Sequence, residues 1–111
     1  MGKSKTEMLQ GTLDLLILKT LELEPMHGWG ITLRIQTLSE NELRVNQGSL
    51  YPALHRLEEN GLILAKWRAT ENNRQARYYE LSAKGRRKLA AETENWLRLS
   101  GAVGRILGAV S

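Results

Sequence analysis

NQGSLYPALHRLEENGLI, Asn46 to Ile63, reads as a short helix with a polar outer face, stopped by a glycine and running directly into a strand. Leu50, Leu54 and Leu57 recur at i, i+4, i+7, the spacing that lines one side of a helix and buries it. The opposite side then offers Gln47, Ser49, Tyr51, His55 and Arg56 to solvent. Donors, acceptors, an aromatic hydroxyl and a fixed cation are the groups that read base edges and phosphates in a major groove. The start of the helix has two solutions. With Asn46 as cap, Pro52 removes one backbone bond, to Gly48; with Ser49 as cap, the proline sits in the first turn at no cost. At the other end Gly61 follows Asn60 and is a left-handed stop.

Downstream, Leu62 to Arg68 and Ala76 to Leu81 alternate as paired strands do, with the polar TENNRQ segment turning between them. Upstream, Leu9, Leu13, Leu16, Ile17 and Leu21 make the inward stripe of a first helix. It begins after Ser4, with Glu7 completing a capping box, and ends near Leu23, because Pro25 turns Glu24 away from helical dihedrals. A turn through Pro25, Met26 and His27 leads to a second helix carrying Ile31, Ile35 and Leu38 and stopping near Ser39. The segment ENELRVN, with Leu43 and Val45 alternating, predicts a very short strand before Asn46. The fold class is therefore mainly α with a small β-hairpin: a winged helix-turn-helix over residues 1–82, followed by a long C-terminal dimerisation helix over 83–111, in one structural unit.

Ser82 caps that last helix, which opens on Lys84, Arg86, Arg87 and Lys88. Cations at this end oppose the helix dipole by a few tenths of a kcal/mol each, so an external anion explains them better than helix stability does. Leu89, Trp96, Val103 and Val110 are spaced by seven, Leu99 and Ile106 fill the d positions, and Glu92 is the polar exception. An a/d seam of this kind requires a second helix beside it, and the same helix of another copy is the natural partner. Leu89, Trp96, Leu99, Val103 and Ile106 are thus the expected dimer interface. Gly101, Gly104 and Gly108 each weaken the helix by about 1 kcal/mol relative to alanine, so its end depends on that partner.

The chain has 111 residues and a net charge of +4, unevenly spread. Residues 1–60 carry six Lys/Arg against eight Asp/Glu, and residues 61–111 carry ten against four. A basic half beside an acidic half points to a polyanionic partner for the former. No cysteine is present, which excludes disulfides and thiolate metal sites. His27 and His55 have no i+4 histidine, so no metal and no cofactor are expected; a capping or packing role is the default for His27. No apolar run reaches the roughly 18 residues of a membrane span, and no secretory leader opens the chain, so a soluble, cytoplasmic protein is expected. Glu58 and Glu59 are adjacent, about 100° apart on a helix, and do not flank one substrate; the chain reads as a non-enzyme. GKS at Gly2–Ser4 lacks the upstream glycine and strand of a phosphate loop, and the GxxxG of Gly104 and Gly108 lies beside Arg105 rather than in an apolar helix.

With this order of elements in place, four motifs carry a resemblance. GTLDLLILKTL, HGWGI, NQGSLYPALHRLEENGLI and RQARYYELSAKGRRKL together resemble the PadR-like transcriptional regulators, in their short form with a single C-terminal dimerisation helix. The resemblance covers about residues 8–98. Where that family often has tyrosine after its HG pair, Trp29 stands here, another large aromatic. The resemblance implies a homodimer that binds a roughly palindromic double-stranded DNA operator, represses, and is released by a small-molecule effector. On the third helix it implies DNA contact by Gln47, Ser49, Tyr51, His55 and Arg56. On the wing it implies backbone contact by Arg68, Asn72, Asn73, Arg74, Gln75 and Arg77. Some short members hold small aromatic compounds between their dimer helices beside a tryptophan, which makes Met8, Leu9 and Trp96 the expected effector pocket. Tyr51 has a plainer reading, its ring packed on the second helix, and Trp96 has one too, simple packing in the seam. The rival to the whole reading is a winged-helix dimer serving as a protein-assembly module without DNA.

Overall fold

Helix α1 spans Gln10–Leu23 and is followed by the two-residue strand β1, Met26–His27. Helix α2 is Gly28–Leu38 and α3 is Gln47–Glu59. Strands β2, Ile63–Ala69, and β3, Gln75–Leu81, precede the long α4, Ala83–Ala109. The computed structural model describes residues 10–109. The expected Ser4 cap with Glu7, the pocket residues Met8 and Leu9, and the seam residue Val110 lie outside the described residues.

The core forms where the apolar stripes of α1, α2 and α3 meet the inner face of the hairpin. Ile17, Leu18, Leu21, Ile31, Leu50, Leu54 and Ile63 are its most buried large side chains. The three strands are antiparallel in the order β1-β3-β2, with Met26 opposite Tyr79 and Trp67 opposite Arg77. The sheet differs from the sequence expectation in its third member. Residues 41–46 form no strand, since Glu40 and Asn41 have positive φ and the Ser39 hydroxyl accepts a bond from the Leu43 N–H at 3.0 Å. Val45 is buried, so the alternation of Leu43 and Val45 reflects a loop pinned to the core. The edge strand is instead the turn before α2. The strand pair itself is displaced by one residue from Leu62–Arg68 and begins one residue early at Gln75.

The two capping solutions for α3 resolve in favour of Asn46, whose side chain accepts from the Ser49 N–H at 2.8 Å. Pro52 accordingly sits inside the helix. The exit is a Schellman turn: Leu62 N–H bonds to Leu57 C=O, Gly61 N–H to Glu58 C=O, and Gly61 has φ +73°. Helix α4 is fastened to that turn. The Ser82 hydroxyl donates to the Gly61 carbonyl at 2.6 Å and accepts from the Gly85 N–H at 2.9 Å, while the Lys84 ammonium donates to the Asn60 carbonyl at 2.8 Å. Lys84 therefore has an internal role at the C-terminus of α3, not the external anion expected for it. Lys88 pairs with Glu92 at 3.4 Å, which leaves Arg86 and Arg87 as exposed cations with neither an ion pair nor a carbonyl partner like that of Lys84 among the described residues. At about 1.5 Å per residue α4 is about 40 Å long. Gly85 and Leu89 are its buried residues, and its later turns expose most of their side chains.

Candidate nucleic-acid interface

The outward ridge of α3 is Gly48, Pro52, His55 and Glu59, exposed residues at i, i+4, i+7, i+11, opposite the buried Leu50, Ala53, Leu54 and Leu57. Of the residues expected there, His55 stands at its centre, with Nε2 3.4 Å from the Glu59 carboxylate. Ser49 and Tyr51 flank the ridge on opposite sides and are exposed. Gly48 and Pro52 were not among the expected residues because neither carries a polar group, yet both stand exposed on the ridge. The i, i+4, i+7 spacing through His55 was the available signal.

The plainer reading of Tyr51, packing on the second helix, has support in the geometry. A Cβ added to Gly28 would lie 2.6 Å from the Tyr51 hydroxyl, so the ring leans on the first residue of α2 and a side chain at position 28 would displace it. Tyr51 nevertheless remains 48% exposed. Gln47, also exposed, donates from Nε2 to the Thr32 hydroxyl at 3.3 Å, which seats the start of α3 on α2. His27 has the capping role expected of it: Nδ1 accepts from the Gly30 N–H at 2.9 Å, and its ring meets Tyr78 edge-on at 5.2 Å.

Two of the arginines expected at DNA have carboxylate partners within the protomer. Arg56 turns away from the ridge, and its guanidinium bonds the Asp14 carboxylate at 2.6 Å, tying α3 to α1. At 100° per residue it stands a quarter turn from the ridge, on the flank that packs toward α1. Arg77 reaches back from β3 to Glu58 at 2.7 Å and holds the wing to α3. A sequence pattern marks both as cations, but their carboxylates lie 42 and 19 residues away in the chain. Behind Arg77, burial raises the Tyr79 phenol above its ordinary value of 10.0; Arg77 opposes that shift, while Glu58 and Tyr51 add to it.

The rest of the wing stands open. Thr70 to Arg74 form its tip, closed by Asn73 N–H to Thr70 C=O at 2.9 Å with Asn73 at φ +61°. Asn72, Asn73, Arg74 and Gln75 are exposed there. Arg68 lies over the Tyr78 ring at 4.6 Å. Neither Arg68 nor Arg74 has an ion pair among the described residues. On α4 the seam is exposed from Trp96 onward: Trp96 46%, Leu99 59%, Val103 45% and Ile106 63%. Leu89 is the correction, since at 3% exposure it completes the protomer's own core and offers nothing to a second copy. Between α1 and α4 runs a groove of about 350 Å³, lined by Gly11, Thr12, Leu15, Glu92, Asn95, Trp96 and Leu99.

Three helices, a three-stranded sheet with its hairpin extended as a wing, and a polar ridge on the third helix define a winged helix-turn-helix protein. The comparisons give the family. Residues 17–91 match the "Transcriptional regulator PadR-like family". The chain is similar to "Transcriptional regulator Rv3488" of Mycobacterium tuberculosis, 38% identical over 86 residues that cover 78% of this chain and 74% of the relative. A PadR-like transcription factor from Bacteroides fragilis is 32% identical with a TM-score of 0.70, over 87% of this chain and 91% of that one. A PadR-like regulator from Bacillus cereus is 27% identical with a TM-score of 0.78, over 90% and 95%. The chain belongs to the PadR-like family of transcriptional regulators, and it is a regulator rather than an enzyme. No helix among the described residues is long and apolar enough to cross a membrane.

Proposed function

We propose that the protein is a homodimeric repressor which binds a roughly palindromic DNA operator through α3 and the wing and is released by a small aromatic effector. The observation that carries the DNA reading is the uncovered α3 ridge beside a hairpin tip whose Arg74 has no carboxylate partner among the described residues. Arg74 and Arg68 serve as phosphate contacts and His55, Ser49 and Tyr51 as groove contacts, while Arg56 and Arg77 hold α3 in place. Arg74→Ala is expected to weaken binding to all duplexes alike and to flatten the dependence of log K on log salt by about one counterion per protomer, whereas His55→Ala acts mainly on the cognate site. An unchanged slope in Arg74→Ala would remove the wing assignment. The same titration separates the rival reading: an assembly module without DNA leaves random duplex unbound even at low salt.

The effector is assigned to the groove between α1 and α4. Its volume is in the range of small-molecule sites, roughly 300–1,000 Å³, and its floor combines the Trp96 ring with Leu15 and Leu99, next to the polar Glu92 and Asn95. A compound there acts as an inducer only if it favours one spacing of the two recognition helices over the other. The fastening of α4 to the end of α3 supplies the coupling, because a tilt of α4 carries the Gly61 turn and α3 with it. Titration of flat aromatic cations and of phenolic acids, followed by tryptophan fluorescence, is expected to quench the wild type and not Trp96→Leu. Equal quenching in both proteins, or none in either, would leave Trp96 as seam packing alone.

A further inference from the structure

Trp67 is one of the most exposed large apolar side chains of the protein, at 67%, and it lies halfway along the wing rather than on the dimer helix. It faces Arg77 in register across the hairpin, and directly opposed residues of an antiparallel pair point to the same side of the sheet. Arg77 reaches Glu58 of α3, so this is the side of the wing that looks toward α3. Nearer the body the same side carries the pairs Ile63 with Leu81 and Ala65 with Tyr79, which form core. At Trp67 the alternation runs on past the last element that covers it. The ring has no aromatic or cationic partner among the described residues, while Tyr78 on the other side has two, His27 and Arg68.

An indole of this exposure contributes nothing to the core and costs hydration. Its chain neighbours Lys66 and Arg68 point to the opposite face of the strand, Arg77 stands across from it on its own face, and Arg74 lies at the tip beyond it. A duplex with α3 in its major groove and the wing tip over its backbone must pass one strand through the angle between them. We propose that Trp67 is a DNA-backbone contact, its ring packed on a deoxyribose of that strand and its Nε1–H donating to the neighbouring phosphate. The inference rests on the DNA reading above and adds an apolar, sequence-independent term to the ionic contacts of the wing.

The two can be told apart. Because Trp67 carries no charge, Trp67→Ala in the full chain is expected to lower affinity for random and cognate duplex about tenfold at every salt concentration with the salt slope unchanged. Trp67→Phe is expected to restore most of the loss, since a flat ring remains. In wild-type protein carrying 5-fluorotryptophan, the 19F resonance absent from Trp67→Phe is expected to shift on saturation with random duplex. Wild-type affinity in Trp67→Ala, or a Trp67 resonance unmoved by saturating DNA, overturns this inference alone. A wild-type protein that binds no duplex at low salt overturns the DNA reading and this inference together.

Discussion

Gly85→Ala is expected to unfold the protein or to cost on the order of 4 kcal/mol, a large share of the roughly 5–15 kcal/mol that holds a domain of this size. A methyl at position 85 would lie 2.0 Å from the Leu62 carbonyl oxygen, and 3.1 Å from both the Leu62 carbonyl carbon and Leu81 Cδ2. The obstacle is backbone, so no rotamer change relieves it. Nor is the Leu62 carbonyl free to swing away, because it accepts from the Ser82 N–H at 3.1 Å. The clash therefore pushes α4 off the end of α3 and breaks the Ser82 and Lys84 bonds that fasten the two. Gly11→Ala is the matched control, since an added methyl there meets nothing within 4 Å. Urea denaturation followed by circular dichroism measures both. A Gly85→Ala midpoint equal to that of Gly11→Ala would mean that α4 does not sit on Leu62 as described.

The residues that were legible in the sequence are those whose environment is set by near neighbours. Leu50, Leu54 and Leu57 declare a buried face through spacing alone, and Asn60–Gly61 declares its end through the need for a positive φ. The hairpin followed from alternation between two turn-rich flanks. What stayed hidden was pairing across the chain. Arg56 and Asp14 lie in different helices, 42 residues apart, and Arg77 meets Glu58 only once the wing folds back along α3. The same limit explains β1: Met26 and His27 become a strand because Tyr79 and Tyr78 lie opposite them, and a two-residue segment has no alternation to show in advance. Leu89 shares the heptad spacing of the seam but lies on the first part of α4, where α1 and the hairpin already cover it, so periodicity assigned it to the wrong neighbour. On α3, polarity drew the eye to Gln47 and Arg56, whereas the ridge that meets solvent includes a glycine and a proline.

Leu99→Asp is expected to convert the proposed homodimer to a monomer while leaving the protomer folded. Leu99 is exposed and lies outside the protomer's core, so a carboxylate there costs the isolated chain little. In the dimer each copy loses the burial of one leucine, worth about 2 kcal/mol, and gains a charge in an apolar seam. Counting both copies, dissociation should strengthen by at least about a thousandfold, since each 1.4 kcal/mol is tenfold. Sedimentation velocity at low micromolar concentration, with helical content checked by circular dichroism, is the measurement. Leu89→Asp supplies the contrast, because a charge at a side chain that is 3% exposed strikes the core of each protomer and is expected to abolish the fold. If both variants unfold, the seam and the core are one cooperative unit and the protomer has no independent stability, as in obligate dimers. If Leu99→Asp sediments as a stable dimer, the exposed side of α4 from Trp96 to Ile106 is not where two copies meet.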